Sequence, residues 1–428
     1  MKPLRILILS EQNNPDWISV PLVGYRHSEA LARRHHVHLV THVRNKPAHD
    51  KKQGPFTDVT YIDLGWVDTF YDWMFRVIFK GDFGSQTLTA MRLPCYLIFE
   101  WLAWRRLKQA VGEKTYDCIL RITPVAPVLP SPWARWLASS QVPFIIGPIN
   151  GGLPFPVGYQ QAQKQKEWIS SLRRLYRWMP YARSTYQKAQ AIIVGSSQTH
   201  QEFAEFSDKL FFIPENGITP EMLQNRSAIR DAGRPLRLLF VGRLVPFKAC
   251  DLAMKGAVPL LRQGLAHLMI VGDGAERSRL ESLAKEWGVT EHMTFTGMIS
   301  HDDTMQHFAK ADILLFPSVR EFGGGVVFEA LAKGTVPIVS DYGGPGDIVH
   351  PAIGFKIPLT DEKQAVDFIT HTLEYLQRDR AKLVELSQAG QQYARAFLTW
   401  EGKAELTSAV LAWTLGQGKK PEQPLQSR

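Results

Sequence analysis

LRLLFVGRL (residues 236–244) and LRILILSEQ (4–12) are two versions of one phrase. Each is a compact apolar run that stops at a glycine or a polar group. A run with no polar alternation reads as a strand buried on both faces, as in a parallel sheet covered by helices. Two such openings in a chain of 428 residues predict two α/β domains.

Strands and helical segments alternate outward from each opening. In the first half, YRHSEALARRHH reads as a helix after a loop at 11–23, and VHLVTHV as a strand. Further strands are predicted at 59–64, 116–123, 143–149, 190–196 and 209–216. In the second half, LLFVG, LMIVGD, MTFTG, ILLFPS, VPIVSD and GFKI alternate with helical patterns. That regularity predicts right-handed βαβ units and two doubly wound, Rossmann-like parallel sheets facing a central cleft. Domains are expected at 1–217 and 218–398, a helix at 399–417, and a disordered tail at 418–428. Ligands of such sheets bind outside the carboxyl ends of the strands, so the loops there carry the function.

Lys and Arg number 50 against 41 Asp and Glu, which suits an anionic partner. The cysteines Cys95, Cys118 and Cys250 stand singly and read as buried apolar residues of a reducing compartment. The N-terminal apolar run is too short for a signal peptide, and no run reaches the ~18–20 residues of a membrane span. A cytoplasmic protein is expected, with a peripheral seat on the inner face of the plasma membrane as the alternative. No recognised nucleic-acid motif accompanies the basic charge, so nucleic acid is not expected as a partner.

The loop after ILLFPS leads into EFGGGVVFEALAKG (321–334). Consecutive glycines let backbone N–H groups approach a ligand, and a helix N-terminus adds donors and partial positive charge. Gly323, Gly324, Gly325 and Val326 are therefore read as a diphosphate cradle. Glu329, one turn into the helix, is placed to accept two hydroxyl hydrogen bonds from a ribose. Glu321, before the turn, lies where a sugar would be. Arg243 and Lys248 in VGRLVPFKACD supply a planar fork and a point charge for the diphosphate. The competing reading is a capped helix with solvated charges around it.

The ordered set GRLVPFK, VGDGAERSRLESLA, FTGMISHDD, ADILLFPS, EFGGGVVFEALAKGTVPIVS and GGPGDIV resembles the C-terminal domain of family 4 retaining glycosyltransferases, which have the two-domain GT-B fold. The resemblance is strong over 236–350 and loose over 1–215. It implies a nucleotide diphosphate sugar as donor and transfer, with retention, to a lipid-linked or polysaccharide acceptor of the cell envelope. It also implies that Glu329 binds ribose, that Glu321 contacts the donor sugar, and that Arg243 and Lys248 stabilise the leaving diphosphate. Met298 aligns with the segment whose backbone meets the nucleobase, and the C-terminal helix is expected to pack back on the N-terminal domain. A GT-B nucleotide-sugar epimerase and a non-catalytic nucleotide-sugar-binding subunit remain the alternatives.

No metal or other cofactor is implied. Asp302 and Asp303 follow Ser300 at a helix start and read as part of its cap. His35, His36, His38 and His42 run along one helix end and strand, which offers no converging ligand set. VGDGAE (271–276) is followed by Arg277, where a dinucleotide fingerprint needs its third glycine.

On the acceptor side, Gly24 is expected just before the first helix, and Asn150 and Gly151 in the loop after FIIGPI. Many relatives use a histidine from this half. Here the general location is held by Asn150, with His27 as a further candidate. Lastly, 167–186 places Trp168, Leu172, Leu175 and Met179 in an apolar stripe flanked by Arg173, Arg174 and Arg177. That pattern fits a helix lying in an anionic lipid interface, or equally one packed on a core. The aromatic run at 66–79 is read as a second contributor to the lipid contact.

Overall fold

The computed structural model describes residues 2–78, 92–151, 153, 156, 179–223 and 233–421. The chain forms two compact units. One comprises Met1–Gly152, Lys166–Glu215 and Trp400–Ser427; the other comprises Leu153–Gln165 and Asn216–Thr399.

The first unit is built on a seven-stranded sheet in the order β3-β2-β1-β4-β5-β6-β7. Its strands are β1 Arg5–Ser10, β2 His36–His42, β3 Asp58–Ile62, β4 Cys118–Thr123, β5 Phe144–Ile149, β6 Ala191–Val194 and β7 Leu210–Phe212. Every pairing in it is parallel. β4 and β5 are buried at every position, as their unbroken apolar runs require.

The second unit holds a six-stranded sheet in the order β10-β9-β8-β11-β12-β13. Its strands are β8 Leu236–Val241, β9 Ala266–Val271, β10 Met293–Gly297, β11 Ile313–Phe316, β12 Val336–Ser340 and β13 Phe355–Ile357, again all parallel. In both sheets the order runs outward from the first strand and then reverses to the other side. The reversal lies between β1 and β4 in the first sheet and between β8 and β11 in the second. A crevice opens at such a switch point because the loops on its two sides diverge.

The first helix begins earlier than the sequence pattern suggests, at Val20, and runs to Ala32 with Pro21 in its opening turn. Proline there is a start signal, since its missing N–H has no helical partner to lose. Gly24 is consequently an interior helix residue and not the last residue of a loop. A Cβ on it would stand 2.2 Å from the Gln12 carbonyl oxygen, so glycine lets the helix cross close over the end of β1.

Helix Trp400–Thr414 belongs to the first unit and packs on Val20–Ala32. Its polar side chains are paired inside that contact. Thr407 Oγ1 lies 3.0 Å from His27 Nε2, and Ser408 Oγ 2.7 Å from His35 Nε2. The buried ammonium of Lys403 bonds the Pro214 carbonyl. The expected tail is partly anchored: Lys420 Nζ donates to the carbonyls of Ser207 and Asp208, at 3.2 and 2.8 Å. Residues 422–428 lie outside the described residues.

Of the histidine run, His36 is exposed and the other three are absorbed by packing, His35 on Ser408. His38 Nδ1 is 2.6 Å from the Tyr116 hydroxyl and its Nε2 2.8 Å from Thr60 Oγ1. His42 Nε2 meets Asp68 at 2.8 Å. Cys118 and Cys250 are buried and Cys95 is half-buried. Among the described residues no group of three or more His, Cys, Asp or Glu side chains is placed to hold a metal ion, and no helix is long and apolar enough to cross a membrane.

Candidate functional site

Two loops meet at the switch point of the second sheet. Gly242–Ala249 follows β8, and Pro317–Gly324 follows β11. They are stitched together through Phe247, whose carbonyl accepts Val319 N–H at 3.0 Å and Ser318 Oγ–H at 3.2 Å. The β8 loop is steadied from its other side by Leu244 N–H on the Asp273 carbonyl at 2.9 Å. A short 3₁₀ turn, Pro246–Lys248, then aims Lys248 inward.

Lys248 forms an ion pair with Glu321, and the two side chains keep only 14% and 19% of their surface exposed. The Lys248 ammonium also lies 5.0 Å from the ring centre of Phe316, the last residue of β11. Arg243 is more exposed and places its guanidinium 6.0 Å from the Phe247 ring. Sequence reading names these three side chains one by one; it does not reveal the Lys248–Glu321 pairing.

Beyond Glu321 the glycines turn the chain into helix Gly325–Lys333. Gly324 is the N-cap at φ +57°, a left-handed conformation that favours glycine, and no side chain caps the helix. The first-turn amides of Gly325 and Val326 therefore face outward from an uncapped helix start, the arrangement that favours an anion. The turn is backed by the next glycine segment, with Gly344 N–H on the Glu321 carbonyl at 3.2 Å. A Cβ on Gly343 or Gly344 would stand 2.3 or 2.2 Å from the carbonyl oxygens of Glu321 and Phe322. The run GGPGDIV owes its first two glycines to this close approach.

Glu329 is the fifth residue of that helix. Its side chain is 21% exposed, and His301 Nδ1 lies 3.9 Å from it. Burial without compensating hydrogen bonds pushes its pKa from 4.5 up to about 7. A carboxylate in that condition gains from any pair of hydroxyl donors brought to it. His301 opens helix His301–Lys310, whose N-cap Ser300 accepts Asp303 N–H at 3.1 Å. Met298, just before this helix, is 74% exposed.

A further residue joins the site without having been marked in the sequence. Asn216, in the segment PENGI that follows β7 in the chain, places its amide 3.8 Å from the point where a Gly325 Cβ would stand. The Asn-Gly pair signals a turn, which is all the local pattern tells.

The acceptor-side candidates are placed differently. His27 is 1% exposed, and burial followed by the charge of Lys403 lowers its pKa to about 3. It is a neutral helix-packing residue with no open face for base chemistry. Asn150 follows β5 and is buried, its Oδ1 accepting Ser196 Oγ–H at 2.8 Å and Thr199 Oγ1–H at 3.2 Å. Gly151 N–H reaches Thr199 Oγ1 at 3.4 Å. Arg173, Arg174, Arg177 and Trp168 lie outside the described residues. In the aromatic run, helix Trp66–Ile78 leaves Trp66, Phe70 and Trp73 exposed.

Two parallel α/β sheets of this order define the GT-B fold, and solved structures share it over nearly the whole chain. Sucrose-phosphate synthase from Thermosynechococcus elongatus superposes with a TM-score of 0.63 at 19% identity, covering 97% of this chain and all of that one. HepE of Anabaena in complex with UDP gives 0.61 at 15% identity over 96% of this chain and all of its own. Residues 221–392, within the second unit, match the family model described as glycosyl transferases group 1.

Among sequence relatives, an uncharacterized glycosyltransferase of Methanocaldococcus jannaschii is 32% identical over 179 residues, 39% of this chain and 46% of its own length. A GDP-mannose-dependent alpha-(1-6)-phosphatidylinositol monomannoside mannosyltransferase of Mycobacterium tuberculosis is 28% identical over 246 residues. That match covers 52% of this chain and 63% of the relative. The matched regions thus span between about half and under two thirds of those relatives.

Proposed function

We propose that this protein is a retaining glycosyltransferase of family 4 type. It would move a hexose from a nucleotide diphosphate sugar to a hydroxyl of a lipid-linked or polysaccharide acceptor of the cell envelope. The observation that carries the reading is the convergence at one switch point of Lys248, Glu321, the uncapped start of helix Gly325–Lys333 and the under-solvated carboxylate of Glu329. The names of the relatives, and the UDP bound by HepE, agree with a nucleotide-sugar donor.

In this reading the second unit holds the donor. Glu329 accepts the ribose hydroxyls, the backbone at Met298 meets the base, and the amides of Gly323, Gly324, Gly325 and Val326 hold the diphosphate. Arg243 and Lys248 stabilise the charge that grows on the leaving group, the main electrostatic demand of the reaction. The bond from the anomeric carbon to the diphosphate breaks as the acceptor oxygen forms its own bond on the same face. The acceptor proton passes to the departing phosphate oxygen, and Glu321 orients the sugar through its hydroxyls. The first unit takes the acceptor, with Asn150 and Gly151 at the loop after β5. The basic segment with Arg173, Arg174, Arg177 and Trp168 seats the protein on the anionic cytoplasmic face of the membrane, where each basic residue adds about 1 kcal/mol.

The test is incubation with a panel of nucleotide sugars, with and without lipid-linked and glycan acceptors, and assignment of the product anomer by NMR. A product with the donor's configuration, formed only with acceptor, is expected. Epimerised donor without acceptor would identify the epimerase. Nucleotide binding with neither transfer nor slow hydrolysis would leave a binding subunit.

A further inference from the structure

Glu321 is engaged by partners that a sugar-facing carboxylate does not need. Its Oε2 is ion-paired with Lys248, and its Oε1 accepts the N–H of Gly324 at 3.3 Å. One partner is the less exposed of the two cations in the β8 loop. The other is the amide of the residue that caps the glycine turn. Both are of the kind a diphosphate at this turn would bind.

The geometry points to Glu321 as an internal competitor for the diphosphate that discriminates the intact donor from the nucleoside diphosphate left after transfer. The inference rests on the nucleotide-sugar reading above. Any diphosphate entering the cradle must take Lys248 and the Gly324 amide away from the tethered carboxylate, which is held at high effective concentration. The displaced Glu321 then needs new donors. A nucleotide sugar brings them as sugar hydroxyls; a bare nucleoside diphosphate does not. The exchange is therefore compensated for the donor and uncompensated for the product, which favours product release.

The experiment is calorimetric titration of the full chain with UDP, GDP, UMP, GMP, UDP-glucose and GDP-mannose. Wild type is compared with Glu321→Gln, Glu321→Asp, Lys248→Met and the Glu321→Gln/Lys248→Met double variant. Both Glu321 variants should bind the preferred nucleoside diphosphate about threefold to tenfold tighter, the range of a partly buried ion pair released. The monophosphate should change less than about twofold, since it lacks the second phosphate that competes for Lys248 and the Gly324 amide. The gain should vanish when Lys248→Met is the background, and the nucleotide sugar should bind no tighter than to wild type.

Glu321→Asp is the decisive arm. It keeps the charge but is one methylene too short to hold both partners. Wild-type affinity in Glu321→Asp with tightening in Glu321→Gln would reduce the effect to through-space repulsion and overturn the inference, as would weaker diphosphate binding in both. A wild-type protein that binds none of these nucleotides would instead remove the nucleotide-sugar reading, and this inference with it.

Discussion

Replacing Glu329 by glutamine should make the protein more stable and its nucleotide binding weaker. The side chain sits in the first turns of helix Gly325–Lys333 with His301 Nδ1 3.9 Å away, and burial lifts its pKa from 4.5 to about 7. That difference of roughly 2.5 units corresponds to about 3 kcal/mol; with a fifth of the side chain exposed to solvent, about 1–3 kcal/mol is the expected range. The sign follows from proton counting. Between pH 4.5 and 7 the folded protein keeps a proton that the unfolded chain has lost, so stability falls as pH rises through that window and levels off above it.

Glu329→Gln removes the titration. Its unfolding midpoint in urea, measured without nucleotide, should match wild type near pH 4.5 and exceed it by pH 8. Ribose hydroxyls favour the ionised carboxylate, so wild-type nucleotide affinity should rise as pH climbs through about 7, while that of the variant stays flat. At pH 8 the variant should bind about tenfold to a hundredfold more weakly, the loss of one charged hydrogen bond's worth of energy. A 2′,3′-dideoxy nucleotide, which lacks the diol, should show neither effect. Equal nucleotide affinity in wild type and variant at pH 8 would refute the ribose role. Equal unfolding midpoints across the whole pH range would refute the electrostatic argument beneath it.

Other perturbations test separate parts of the molecule. Gly24→Ala should destabilise the first unit by about 1–3 kcal/mol, because its Cβ would meet the Gln12 carbonyl at 2.2 Å; an unchanged urea midpoint would contradict that packing. Lys403→Ala should cost about 3–5 kcal/mol, since it leaves both a cavity and an unpaired Pro214 carbonyl, whereas Lys403→Met, which fills the volume and leaves only the carbonyl unpaired, should cost about 1–3 kcal/mol. Glu321→Ala should depress turnover far more than nucleotide-sugar affinity, and full activity would remove Glu321 from the chemistry. Replacing Arg173, Arg174 and Arg177 with serine should weaken co-sedimentation with anionic vesicles in a salt-dependent way, and unaltered co-sedimentation would argue for a core-packed helix.

The corrections come from one kind of place. Gly24 reads in the chain as the end of a loop and His27 as a candidate for acceptor-side chemistry, but both are helix-packing residues in the fold. The helical period that reveals an amphipathic segment does not say which partner covers it. Here the partner is a helix 380 positions away, touching His27 through Thr407. His38 and His42 of β2 are likewise explained by Tyr116, Thr60 and Asp68, which share no local pattern with them.

What the amino-acid order determined alone is whatever depends on neighbours in the chain: apolar runs that must be covered on both faces, helix starts at Ser300 and stops at Gly334, and the glycines that open the turn before Gly325. These follow from backbone sterics and local hydrophobic period, so the two-sheet α/β architecture is legible in the chain alone. The tertiary structure decided which strand ends are neighbours. Because β11 pairs with β8 and not with β10, a lysine and a glutamate 73 positions apart share one charge-paired site. Sheet order is set by how whole helices and strands pack, a sum over many distant contacts that no short stretch of sequence contains.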